Sequence, residues 1–184
     1  MSTISNKGYL KSDLLSKDAQ AESEAMELQD VKRESDNPNI YDLTMCRMKH
    51  SLEVAREMYA IAHRLNYCEE KARKLFTIGL LHDIGYEFSD NQGHADVGAA
   101  MLSSIGVRYD LVEAVQFHGV AAGRIRRGSI GHILNYANMT INSNGEHVTM
   151  YDRLKDIESR YGTDSREYMT SKELVKELEM LGPL

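Results

Sequence analysis

The pair His82-Asp83 is the feature of this sequence best suited to chemistry. It closes the apolar run Leu75-Phe76-Thr77-Ile78-Gly79-Leu80-Leu81, which has the composition of a core helix. A carboxylate buried there without a partner would cost on the order of several kcal/mol, so a partner is required. A divalent cation is one such partner, and adjacent imidazole and carboxylate donors suit Zn, Mn or Fe. Helix geometry brings a third donor to the same level. If the chain reverses near Tyr67-Cys68, His50 lies 17 residues before the turn and His82 lies 14 after it. At roughly 1.5 Å of rise per residue, the two return to levels only about 5 Å apart. His94 and His118 lie 12 residues on either side of Gly106 and repeat the arrangement. Two antiparallel hairpins would thus present histidines at one common end.

The elements that must hold these residues are helical. From Asp42 to Asn66, Met48, Leu52, Ala55, Tyr59 and Ala62 recur on one face, and His50, Val54, Ile61 and Leu65 form a second inward row. Further helices are expected from about Glu69 to Asp83, stopped by Gly85, and from His94 to near Gly106. Two more run from Tyr109 to His118 and from Ser129 to Ile141. Thr149 with Asp152 resembles a capping box for a helix ending at Gly162, and Ser171 reads as the N-cap of a last helix, Lys172 to Leu181. No segment alternates apolar and polar residues convincingly, so the fold class is all-α. A single helical domain over residues 39–184 carries an acidic N-terminal arm, residues 1–38, loosely attached and either helical or disordered. Pro38 breaks the chain between the two.

Composition narrows the function. The chain has 184 residues, with 22 basic against 28 acidic side chains, for a net charge of −6. Net acidity argues against non-specific nucleic-acid binding, which depends on clustered Lys and Arg. No apolar run approaches the roughly 18 residues of a membrane span, and the N-terminus does not look like a secretory leader. Cys46 and Cys68 set no disulfide framework and are expected to be small buried hydrophobes in a reducing cytoplasm. His63, His132 and His147 have no ligand-spaced partner and are taken as structural.

The ordered set His50, His82-Asp83, His94, His118 and Asn138 resembles the HD-domain superfamily of metal-dependent phosphohydrolases. Lys49-His50-Ser51-Leu52-Glu53-Val54-Ala55 looks like the family's first-histidine helix, and Leu80-Leu81-His82-Asp83-Ile84-Gly85 looks like its signature. His94-Ala95-Asp96-Val97-Gly98-Ala99 is similar to the segment of members that carry additional histidines. The likeness covers about residues 44 to 162. It implies a metal shell of His50, His82, Asp83 and Asn138. The family usually places an aspartate at the last position, and Tyr136-Ala137-Asn138-Met139-Thr140 offers a neutral amide instead, which weakens the hold on an ion.

The resemblance also implies a reaction. A divalent ion (Mn, Zn, Ni, Mg or Fe) would acidify water and polarise a phosphoryl oxygen. Asp83, His94 and His118 are the expected catalytic groups, the two histidines either holding a second metal or meeting the phosphate. Lys49, Arg124, Arg126 and Arg127 are candidates to bind that phosphate. The expected protein is a cytoplasmic hydrolase of a nucleotide or other small phosphate ester, with no membrane partner, and a homodimer is one expectation for its exposed helices. Two alternatives stay open: a catalytically degenerate domain that binds a ligand or partner, and a di-iron oxygenase of the same superfamily.

Overall fold

The computed structural model describes residues 38–89, 93–121, 123, 125–182 and 184, with side chains from residue 45 onward. The chain divides into units 1–44 and Met45–Leu184. The expected arm and its helix, Lys17 to Ser35, lie outside the described residues, as does Arg124.

Seven α-helices and one 3-10 turn make up the described chain, and no strand occurs among the described residues. They are α1 (Pro38–Arg64), α2 (Glu69–Leu81), the 3-10 turn (Ile84–Glu87), α3 (His94–Ser104) and α4 (Tyr109–Gln116). Then follow α5 (Ile130–Thr140), α6 (Met150–Tyr161) and α7 (Arg166–Leu181). Helix α1 begins at Pro38 itself, a turn before the expected start, because proline in a first turn loses no hydrogen bond that the helix would make. Helix α7 also begins early. Ser165, not Ser171, caps it, its hydroxyl accepting from the Tyr168 N–H, while Ser171 is buried within the helix. No helix among the described residues is long and apolar enough to cross a membrane.

The main core joins Val54, Met58 and Ile61 of α1 to Leu75 and Ile78 of α2, Leu102 of α3, Val115 of α4, and Ile133 and Leu134 of α5. His50, Val54 and Ile61 of the expected inward row of α1 are buried, as are Ala55 and Ala62 of the first row. Ser51 and Met58 join them, whereas Met48 is 61 % exposed. A smaller core of Met139, Ile157, Leu174, Val175 and Leu178 unites α5, α6 and α7. The cysteines depart from expectation too: Cys68 is exposed and Cys46 half-buried. Cys68 occupies the residue before α2, where the chain turns at the surface and no core is available to it.

Two close approaches fix the helices that matter below. A Cβ on Gly79 would stand 2.7 Å from the Ala55 Cα, so α1 and α2 touch backbone to backbone there. A Cβ on Gly85 would stand 1.9 Å from the His94 carbonyl oxygen and 2.7 Å from the Gly98 nitrogen, so the 3-10 turn presses on α3. Nothing larger than glycine fits at Gly85.

Candidate metal centre

Each cluster residue sits where a helix ends or turns inward. His50 lies on the buried face of α1 and is 4 % exposed. His82 is the C-cap of α2 and is fully buried. Asp83 follows in the short join to the 3-10 turn, His94 opens α3, and His118 lies just beyond the end of α4. The two hairpins bring these histidines together: the His50 and His82 rings are 5.4 Å apart, and His94 Nε2 lies 3.2 Å from His118 Nε2.

Asp83 stands at the middle. Its Oδ1 is 3.3 Å from His82 Nε2, 3.2 Å from His118 Nε2 and 3.7 Å from His94 Nε2. Two groups of donors could each close on one ion, His50/His82/Asp83 and Asp83/His94/His118, with the ligand atoms of each group within 4.8 Å of one another. Asp83 belongs to both.

Backbone carbonyls orient the imidazoles. Nδ1 of His82 is 2.7 Å from the Gly79 carbonyl, and Nδ1 of His118 is 2.5 Å from that of Val115. In each ring the carbonyl accepts from Nδ1–H and turns Nε2 toward the cluster, the outer-shell pattern of metal-ligating histidines. His82 Nε2 is buried and makes no hydrogen bond. His118 Nε2 lies 3.2 Å from the Asp83 carboxylate oxygen.

His50 repeats this. Its Nδ1 is 3.1 Å from the Asn142 carbonyl and its Nε2 is 2.9 Å from Asn138 Oδ1. Burial, aided by the charges of His82 and Arg153, pushes its pKa down to about 3, so the ring is neutral and owns one N–H for two acceptors. Burial likewise pushes His82 down. Asp83 is held the other way: burial opposes its charge, but the imidazoles of His82 and His118 outweigh that and keep the carboxyl well below its usual range. Neutral His50 and His82 beside an ionised carboxylate are donors of the kind a divalent cation requires. The residues present fit the ion.

A family model described as HD domain matches residues 47–161, which include every residue of this cluster. The chain belongs to the HD-domain family. No curated protein and no solved structure matches it.

The basic residues expected at this HD site are distributed differently. Lys49 is exposed, Arg126 lines an open cavity that no cluster residue borders, and the charge of Arg127 acts on His132. The guanidiniums beside the cluster belong to other residues. Arg47 of α1 lies 3.8 Å over the ring of Tyr86, and that ring stacks on His94 at 3.8 Å with an interplanar angle of 10°. On α6, Arg153 is 8 % exposed, and its charge acts on His50 and His82 and is itself favoured by Asp83. Asp156 pairs with both Arg153 and Arg160. One signal for Arg153 was present in the sequence: it adjoins Leu154 and Ile157 on the apolar stripe of α6, where an arginine is out of place unless something inside receives it.

Proposed function

We propose that this HD protein is a metal-dependent hydrolase of small phosphate esters. The observation that carries the reading is the convergence of the His82, His94 and His118 Nε2 atoms on Asp83, with His82 Nε2 buried and without a hydrogen bond. His50, His82 and Asp83 would hold the ion, with the Asn138 amide oxygen beside His50 as the fourth donor. When bound, such an ion supplies Lewis acidity, polarising a phosphoryl oxygen and acidifying water.

The chain's own residues divide the remaining work. Asp83 keeps its negative charge and accepts a hydrogen bond from an incoming water, orienting it toward phosphorus. His94, 20 % exposed at the side chain and backed by Tyr86, is the cluster histidine most open to a ligand. It is the group to hand a proton to the departing alkoxide. His118, buried and fixed by Val115, holds position rather than moving. The nucleotide class of substrate and a cytoplasmic setting complete the proposal.

Asp83's place in both donor groups favours a second reading, a dinuclear iron centre with oxygenase chemistry. Elemental analysis of protein purified without chelators separates the readings. One Mn, Zn, Ni or Mg per chain, with release of phosphate from a phosphomonoester or nucleotide panel, supports the hydrolase. Two irons per chain and no phosphatase activity support the oxygenase. No metal and no activity leave a ligand-binding domain.

A further inference from the structure

The turn that follows Asp83 meets the first residue of α3 twice. Gly85 presses on the His94 backbone: a Cβ there would stand 1.9 Å from the His94 carbonyl oxygen and 2.7 Å from its carbonyl carbon. One residue on, the Tyr86 ring lies against the His94 imidazole, with centroids 3.8 Å apart and planes 10° from parallel. The first contact seats the backbone of His94, and the second sets the plane of its ring. Without the second, the imidazole torsion is broad, because rotation about a bond to a flat ring has shallow wells. Every rotation out of the present plane gives up the stack. In that plane His94 Nε2 lies 3.2 Å from His118 Nε2 and 3.7 Å from Asp83 Oδ1.

Tyr86 is itself backed. The Arg47 guanidinium lies 3.8 Å from its centroid. Both neighbours are too close to share one face of the ring, so Tyr86 is held between Arg47 and His94. The other two histidines around Asp83 are placed differently. His82 and His118 are buried, and each meets a backbone carbonyl through Nδ1. His94, with 20 % of its side chain exposed, is the more open ring, and a flat neighbour has more to do there.

We propose that Tyr86 is a positioning residue of this centre, its ring face holding the His94 imidazole so that Nε2 stays on the side of Asp83 and His118. Tyr86 acts through His94 and touches no reacting atom. The face is what matters, not the hydroxyl: phenylalanine keeps it, whereas leucine fills space without a flat surface. The proposal rests on the hydrolase reading for the use made of His94, not for the way its ring is held.

The test reads the ring first and turnover second. Wild type, Tyr86→Phe and Tyr86→Leu are compared by NMR of the histidine-labelled full chain, without metal, at pH 7.5. The wild-type His94 ring protons should lie upfield, in the ring current of Tyr86. They should also show cross-peaks to the His118 ring, whose centroid is 5.0 Å away. Tyr86→Phe should keep both features and Tyr86→Leu should lose both. With adenosine 5′-monophosphate and saturating Mn2+, kcat should fall about tenfold or more in Tyr86→Leu while KM stays within about threefold. In Tyr86→Phe both constants should stay within about twofold of wild type. If Tyr86→Leu does not fold, Tyr86→Met takes its place, since it keeps bulk without a flat face.

Wild-type His94 protons without the upfield shift overturn the proposal. So do His94–His118 cross-peaks that survive in Tyr86→Leu, a Tyr86→Phe variant as impaired as Tyr86→Leu, or an unchanged kcat in Tyr86→Leu. If the spectra behave as stated and no form hydrolyses a phosphoester, the positioning stands and the hydrolase reading falls.

Discussion

His50 Nε2 and Asn138 Oδ1 lie 2.9 Å apart, while the other nitrogen of the same ring faces the Asn142 carbonyl at 3.1 Å. A neutral imidazole can satisfy one of these acceptors, not both. The residual mismatch disappears if a cation draws on the ring nitrogen and the amide oxygen together. His82 Nε2, buried with no partner, carries the same frustration on the facing helix.

Metal should therefore stabilise the fold. At a free ion concentration of about 100 times Kd, binding to the folded state alone is worth about 2.7 kcal/mol. For a chain of this size that corresponds to a rise in Tm of roughly 5–10 °C. A thermal melt with Mn2+ or Zn2+ against one with a chelator checks this. In His82→Ala the rise should vanish, because the one fully buried ligand is gone. An equal rise in that variant would show the ion binding elsewhere.

Gly85→Ala should damage both stability and the site. The new methyl would lie 1.9 Å from the His94 carbonyl oxygen, which is backbone and cannot rotate away. Relief requires the 3-10 turn to move off α3, at a cost of about 1–3 kcal/mol or more. That movement pulls His94 away from Asp83 and His118. Urea unfolding should give a lower midpoint, and any metal held through Asp83/His94/His118 should bind more weakly. Gly106→Ala makes the comparison: its φ of +78° makes alanine unfavourable there too, but nothing lies within 4 Å of the added Cβ. It should cost stability while leaving metal binding unchanged.

Spacing alone conveyed which histidines meet, because rise per residue and two turn positions determine the level at which facing helices return. It conveyed less about which way α1 is rotated. Met48 and Ala55 belong to one row of the pattern, yet Met48 is exposed and Ala55 is buried against Gly79. A 3.6-residue period defines a stripe but not its centre. The cationic side of the site was not legible for a related reason. Arg124, Arg126 and Arg127 stand out as a run, but the described members of that run face a different cavity or His132. Arg153 is a single buried residue on an amphipathic helix, where only tertiary packing reveals which arginine lies inside.

Removing residues 1–38 should leave the metal centre intact. All cluster residues and the family match lie beyond the deletion, and the unit containing them begins at Met45. The shortened chain is expected to melt within a few degrees of the full one and to keep its metal-dependent rise in Tm. Loss of cooperative melting on deletion would show that the arm completes the core or an oligomer.

Asn138→Asp is the substitution that separates a working centre from a weakened one. The change keeps side-chain volume and adds a charge beside His50, in a half-buried position on α5. Without metal, the new carboxylate joins Asp83 in the same pocket, and two like charges there should lower Tm. With metal, the charge sits next to the ion, and affinity should rise on the order of tenfold, a gain of about 1.4 kcal/mol. The apo and metal-bound melts should therefore move in opposite directions, a signature that a merely destabilising substitution cannot produce. If the amide is what limits the ion's occupancy, phosphatase activity at low metal should rise with affinity and converge with the wild type at saturating metal. If activity falls at saturation while affinity rises, the amide has a purpose of its own: it leaves the ion more strongly Lewis acidic than a second carboxylate would. Unchanged affinity in the variant would remove Asn138 from the shell and leave the ion to His50, His82 and Asp83.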